Sequence, residues 1–277
     1  MQTRFRNVRR YLKVGIGALA LVLTLSGCLR FNETLVVEKD GSATLYRTFQ
    51  MQMEVAQMMM GMSSMGNPDA AGEFSLMDEE SLMDEAAEMG PGVELVSLEP
   101  FEDEWGEGYE AAFAIPDIEE FFWASGPGNA MGDMAATVGE DDTDYFTFAF
   151  EPGNTATLTV FAPEPGDADM DDMDMGEMGE MDEMSTEEMM MLSSLYEGMQ
   201  ISLDIEVNGR VSSSNASHRD GAVFTILDID MDQLMSNPGD FQEFLESQQG
   251  DIEDPQVLNN LSGVRIETDE VVEIRFR

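Results

Sequence analysis

Apolar and polar residues alternate in short runs along this chain, and the runs come in pairs separated by turn residues. Leu35, Val36 and Val37 lead into Lys39-Asp40-Gly41-Ser42, and beyond that turn Ala43, Leu45, Phe49 and Met51 alternate with Thr44, Tyr46, Thr48 and Gln50. A period of two is that of a half-buried strand, and paired runs joined by turns predict antiparallel hairpins. Arg47 interrupts the apolar face of the second run. Residues 93–98 and 109–115 form another pair around the acidic loop Glu102-Asp103-Glu104. A third pair, 145–150 and 156–161, turns at Glu151-Pro152-Gly153-Asn154, with Phe146, Phe148 and Phe150 on one face.

The clearest alternation is Ile201, Leu203, Ile205 and Val207, which runs into Asn208-Gly209, a strong short-range hairpin signal. Residues 211–214 are expected to return from that turn. Arg219-Asp220-Gly221 is expected to turn into 223–227, and 264–267 and 271–276 close the chain as strands. Helix signals are few. Asp117-Ile118-Glu119-Glu120 and Asp240-Phe241-Gln242-Glu243 both read as capping boxes. Phe121-Phe122-Trp123 would plug the first short helix into the core, while Phe241, Phe244 and Leu245 fall at helical spacing in the second. The expected fold class is α+β, a mostly antiparallel sheet built from hairpins with a few short helices.

Two acidic, methionine-rich segments do not fit the sheet and read as insertions. Residues 52–90 carry Met53, Met58, Met59, Met60, Met62 and Met65, then the duplicated five-residue unit that starts at Ser75 and again at Ser81. Residues 165–199 alternate acid with Met170, Met173, Met175, Met178, Met181 and Met184. Ser185-Thr186-Glu187-Glu188 is a capping box for a helix with Met189, Leu192, Tyr196 and Met199 on one stripe. Dense acid with Gly176 and Gly179 predicts disorder before it, so this insertion is partly disordered.

The amino terminus is of another kind. Arg4, Arg6, Arg9, Arg10 and Lys13 precede an apolar body over 14–25, and small residues follow. That is the layout of a secretory signal, too short for the roughly 20 residues of a bilayer-spanning helix. The ending Leu25-Ser26-Gly27-Cys28 resembles the lipobox of bacterial lipoproteins. The resemblance implies that a diacylglyceryl group is attached to the Cys28 sulfur and that a signal peptidase cuts before it. Residues 1–27 are then the signal peptide, and 28–277 one extracytoplasmic α+β domain. Arg9-Arg10-Tyr11-Leu12-Lys13 also resembles part of the twin-arginine export signal, which leaves the export route open. The first strand run begins a few residues after Cys28, so the domain is expected to sit close to the membrane. Leu29, rather than Asp, follows Cys28; by analogy with lipoproteins this implies the outer membrane in a two-membrane cell, otherwise the outer face of the cell membrane.

Charge changes the picture of possible partners. Past residue 27 the chain has 57 acidic against 8 basic side chains, a formal charge of −49, and Lys39 is its one lysine. Such a surface repels nucleic acid and anionic headgroups, so nucleic acid is not an expected partner. An acid-rich, lysine-poor composition also resembles the surfaces of proteins from salt-loving microbes. Cys28 is the one cysteine, which rules out an internal disulfide and rests the fold on its apolar core.

Candidate chemistry is sparse. Thioethers at Met170, Met173, Met175, Met178, Met181 and Met184 could converge on a soft cation such as Cu(I), which makes an envelope copper-binding protein the alternative reading. Methionine is equally an adaptable apolar filler, and His218 is the one histidine that could join a metal site. Asp167, Asp169, Asp171 and Asp228, Asp230, Asp232 begin like calcium loops. Both lack the required glycine and closing Glu: Asp172 with Met178, and Gln233 with Gly239, stand there instead. Ser212, Ser213 and Ser214 lie near His218 without a nucleophile elbow. No catalytic set emerges, and no cofactor is expected.

The run from Ile201 through Asn208-Gly209-Arg210-Val211, the step Ser214-Asn215-Ala216, and 223–227 together resemble the lipoprotein group that includes mycobacterial LppM. The opening from Cys28 through the Asp40-Gly41-Ser42 turn to Phe49 fits the same layout. That resemblance implies an anchored α+β module contacting lipid or envelope components. The Met-rich inserts depart from it. The sequence therefore leads to the expectation of a lipid-anchored, non-catalytic envelope lipoprotein, a binding or structural module for an envelope protein or lipid.

Overall fold

The computed structural model describes residues 29–53, 79–124, 145–163, 196–248 and 255–277. Thirteen strands among these residues are arranged in two sheets, with three α-helices and two 3-10 segments. The fold is mostly sheet with a few helices, as α+β predicts.

In the first sheet the alternation works as expected. β1 (Leu29–Val37) pairs antiparallel with β2 (Ala43–Gln52) across the Lys39–Ser42 turn, placing Glu33 opposite Arg47 and Leu35 opposite Leu45. β3 (Glu94–Glu102) and β4 (Gly106–Ile115) form the next hairpin, and β4 adds to β2. β3 lies at the sheet's edge, which accommodates Pro100, a residue with no N–H to donate. It bulges between Leu95 and Ser97, and the Val96 it displaces is exposed. On the other side, β8 (Gln200–Val207) lies beside β1, followed by β11 (Val223–Asp230) and β10 (Arg219–Asp220), with β12 (Val264–Ile266) also on β11.

The pairing is mostly antiparallel, as expected, with two connections that simple hairpins would not make. β8 runs parallel to β1 in the middle of the sheet, so the sheet is mixed. Moreover, Asn208-Gly209 does not make a hairpin. Asn208 N–H donates to Val37 O, and Gly209 N–H donates to Val207 O. The chain then leaves for the second sheet, where β9 (Val211–Ser214) pairs with β13 (Val271–Phe276). A Cβ on Gly209 would come within 2.9 Å of the Phe276 ring, so the corner needs glycine for close approach rather than for a two-residue turn.

The second sheet has the order β5-β6-β7-β13-β9, where β5 is Trp123–Ala124, β6 Tyr145–Glu151 and β7 Ala156–Phe161. Phe148, Phe150, Leu158, Val160, Ile274 and Phe276 are buried with Phe31, Leu35, Leu45, Phe113 and Leu203 of the first sheet in one apolar core. Asp117 caps a single 3-10 turn (Ile118–Glu120) by accepting from Glu119 N–H, and Phe121 and Trp123 enter the core while Phe122 stays exposed.

The helices cover the core. Of the 52–90 segment, residues 54–78 lie outside the described residues; Glu79–Glu88 form α1, which buries Leu82, Glu85 and Ala86, and Met89 beyond it is buried too. The second copy of the duplicated unit lies here, with Leu82 inward and Met83 exposed; of the first copy, Glu79 begins α1 and residues 75–78 lie outside the described residues. Asp230 caps α2 (Met231–Met235). α3 spans Pro238–Gln248, so Asp240 is inside the helix rather than its cap; Asn237 accepts from Gly239 N–H instead. Phe241 and Phe244 are buried, as their spacing predicts. Of the second insertion, residues 165–195 lie outside the described residues, and Met199 at its end is buried.

Candidate functional site

Arg47, the residue that interrupts an apolar run, is the centre of the molecule's buried polar cluster. It sits on the core face of β2 between Leu45 and Phe49, 3% exposed. Its Nε donates to Glu33 Oε1 at 2.7 Å, across the β1–β2 register. Its two terminal nitrogens donate to the two carboxylate oxygens of Glu85 on α1, at 2.7 and 2.8 Å. Trp123 on β5 donates its indole N–H to the other Glu33 oxygen. The guanidinium also faces the rings of Phe31 and Phe113, at 5.6 and 5.2 Å. The β1–β2 hairpin, α1 and β5 thus meet at one ion-pair cluster.

The electrostatics are those of a sealed pair with an extra carboxylate. Burial alone would push the Arg47 pKa down, but the attraction of Glu33 and Glu85 outweighs it and holds the group well above its ordinary value. For Glu33 burial wins: its pKa is raised, and Arg47 and the Trp123 hydrogen bond only partly offset that. Tyr109 on β4 faces the same cluster. Burial pushes its phenol up to about 12. Among the described residues its Oη has no hydrogen-bond partner, and the nearby Arg47 guanidinium offsets part of the rise. This cluster is closed to solvent, and what it can do is hold α1 and β5 onto the first sheet.

A second constellation lies at the edge where β1 begins. Arg30 lays its guanidinium 4.2 Å from the centre of the Trp105 ring and donates from Nε to Gly198 O at 3.1 Å. Gly198 N–H donates to Asp232 Oδ1 at 2.8 Å. Gly198 has φ +79, and a Cβ there would meet Trp105 Nε1 at 2.6 Å, so the turn must be glycine to let the indole lie against it. Asp103 Oδ1 accepts from the N–H groups of Trp105 and Gly106 and from Gln50 Nε2. The backbone bonds from Gly106 and Trp105 hold its carboxyl below the usual range. The β3–β4 loop is therefore braced, with Trp105 at its tip half-buried between Arg30 and solvent.

The residues singled out from sequence fall differently. Leu25, Ser26, Gly27 and Cys28 lie outside the described residues, as do Met170, Met173, Met175, Met178, Met181 and Met184. Asp228, Asp230 and Asp232 are each engaged elsewhere: Asp228 binds Arg265, Asp230 caps α2, and Asp232 accepts from Gly198. Ser212 Oγ donates to Arg275 O, and His218 Nε2 pairs with Asn259 Oδ1, so these two are not partners of one another. Among the described residues no three His, Cys, Asp or Glu are grouped to hold a metal, and no helix is long and apolar enough to cross a membrane. Sequence reasoning missed Glu33, Glu85, Tyr109 and Trp123 as a cluster. The available signal was the pairing of two charged residues, Glu33 and Arg47, at apolar positions of adjoining strand runs.

No protein-family model matches the chain, and no curated protein does. Among solved structures, the NMR structure of the folded domain of LppM from Mycobacterium tuberculosis aligns over 91% of this chain and 91% of that chain, at 9% identity and a TM-score of 0.29. A likeness of that size carries no conclusion about site or activity.

Proposed function

We propose that this protein is a lipid-anchored, non-catalytic lipoprotein of the cell envelope, tethered through Cys28, whose sheet domain serves as a binding or structural module for an envelope protein or lipid. The observation that carries this reading is where β1 begins. Leu29, the residue directly after Cys28, is already a buried strand residue paired with Met51. A cleavage before Cys28 would therefore leave the anchored residue directly joined to the first described residue of the sheet. The buried Arg47 cluster supports a structural module, because its polar groups are spent on each other and sealed from any substrate.

The test is mass spectrometry of the native protein together with fractionation of a Cys28→Ser variant. The expected mature amino terminus is Cys28 carrying a diacylglyceryl thioether, and the variant is expected to leave the membrane fraction. An unprocessed terminus with a bare thiol would overturn the reading.

A further inference from the structure

We infer that the edge formed by the strand ends of the first sheet where β1 starts, bearing Arg30 and Trp105, is the surface that rests on the headgroup layer of the anchoring bilayer, with Trp105 as its interfacial contact. This rests on the lipid anchor proposed above. The geometry supplies the rest. Cys28 is one peptide link from Leu29, so its Cα lies about 3.8 Å from that of Leu29. Whatever shares an edge with Leu29 must then share the bilayer surface.

The strand register says what shares it. Leu29 is opposite Met51, Gln52 opposite Gly106, Glu102 opposite Glu107, Arg30 opposite Gln200, and Gln200 opposite Asp230. The β3–β4 loop with Trp105, the Gly198 turn and the start of α2 all gather at this edge. The Lys39–Ser42 turn, Pro116 and the Asn208-Gly209 corner gather at the other. Nine residues of β1 at about 3.3 Å each put the far edge about 30 Å away.

Chemistry at the near edge fits a lipid surface of restricted kind. An indole with an apolar body and a polar N–H, stacked under a guanidinium, suits the boundary between headgroup and water. Met53 is exposed beside it. Around them stand Glu102, Asp103, Glu104 and Glu107, which repel anionic phospholipid and tolerate a zwitterionic headgroup or a salt-screened surface.

The chain has two tryptophans, and Trp123 is buried, so Trp105 can be read separately. Native lipidated protein is placed in phosphatidylcholine vesicles with and without brominated acyl chains, beside a Trp105→Phe variant, and the mass of the Cys28 peptide is measured on the same sample. The expected result is quenching in the wild type that largely disappears in Trp105→Phe. Lipidated protein whose emission bromine leaves unchanged would overturn this orientation while leaving the anchor intact. An unlipidated Cys28 peptide would overturn both.

Discussion

Arg47 and Glu85 share two parallel hydrogen bonds although they lie 38 positions apart, one in a central strand and the other on the helix packed beneath it. A fork-on-carboxylate pair of this kind fixes orientation as well as distance. It specifies how α1 docks, and through Glu33 and Trp123 it ties β1 and β5 to the same point.

Breaking that centre should be costly, while replacing it whole should not. Arg47→Met leaves two buried carboxylates without their cation and is expected to destabilise by about 3–5 kcal/mol. A triple variant with Glu33→Leu, Arg47→Met and Glu85→Leu has no buried charge and should recover most of the loss. Urea denaturation of both checks this; equal losses would show that the cluster is not a unit.

Glu33 should give the fold a specific pH response. Its folded pKa is raised, chiefly by burial. Its contribution to stability is therefore fully present below the unfolded glutamate value of about 4.3 and is lost as pH rises through the folded one. Glu33→Gln should be more favourable relative to the wild type at pH 7 than at pH 4.5. Unfolding free energies of the pair across that range decide it, and a constant difference would count against the cluster's electrostatics as described.

Among the described residues the buried Tyr109 hydroxyl has no hydrogen-bond partner. Removing it in Tyr109→Phe relieves an unsatisfied group, so stability at neutral pH should rise by about 1 kcal/mol. With its pKa pushed to about 12, the phenol's contribution is present below about 10 and lost as pH rises through 12, so the variant should also resist alkaline unfolding better. A loss of stability in the variant would mean that the hydroxyl has a partner after all.

Self-repulsion of the formal charge of −49 carried by the chain past residue 27 should make the fold salt-dependent. Raising NaCl from 0.15 to 1 M shortens the Debye length from about 8 to about 3 Å, so Tm should climb over that range. Thermal melts at fixed pH test it; a flat response would argue against a surface adapted to high salt.

Much of this architecture was legible residue by residue. Alternation located nearly every strand, because half-buried strands must alternate, and Asp117, Phe241 and Phe244 announced their helices. Composition alone determined the strong acidity, the absence of an internal disulfide, and the signal-like start ending at Cys28. What it could not determine was partnership. Period-two patterns do not say which strand lies beside which, so the parallel β1–β8 pair and the exit of Asn208-Gly209 into the second sheet were decided by long-range packing. The same is true of the polar centre. Arg47 looked like a flaw in an apolar face until register set Glu33 opposite it and α1 brought Glu85 to the remaining guanidinium nitrogens. A buried charge is tolerable only with its partners in place, and partners far apart in the chain are brought together only by the finished fold.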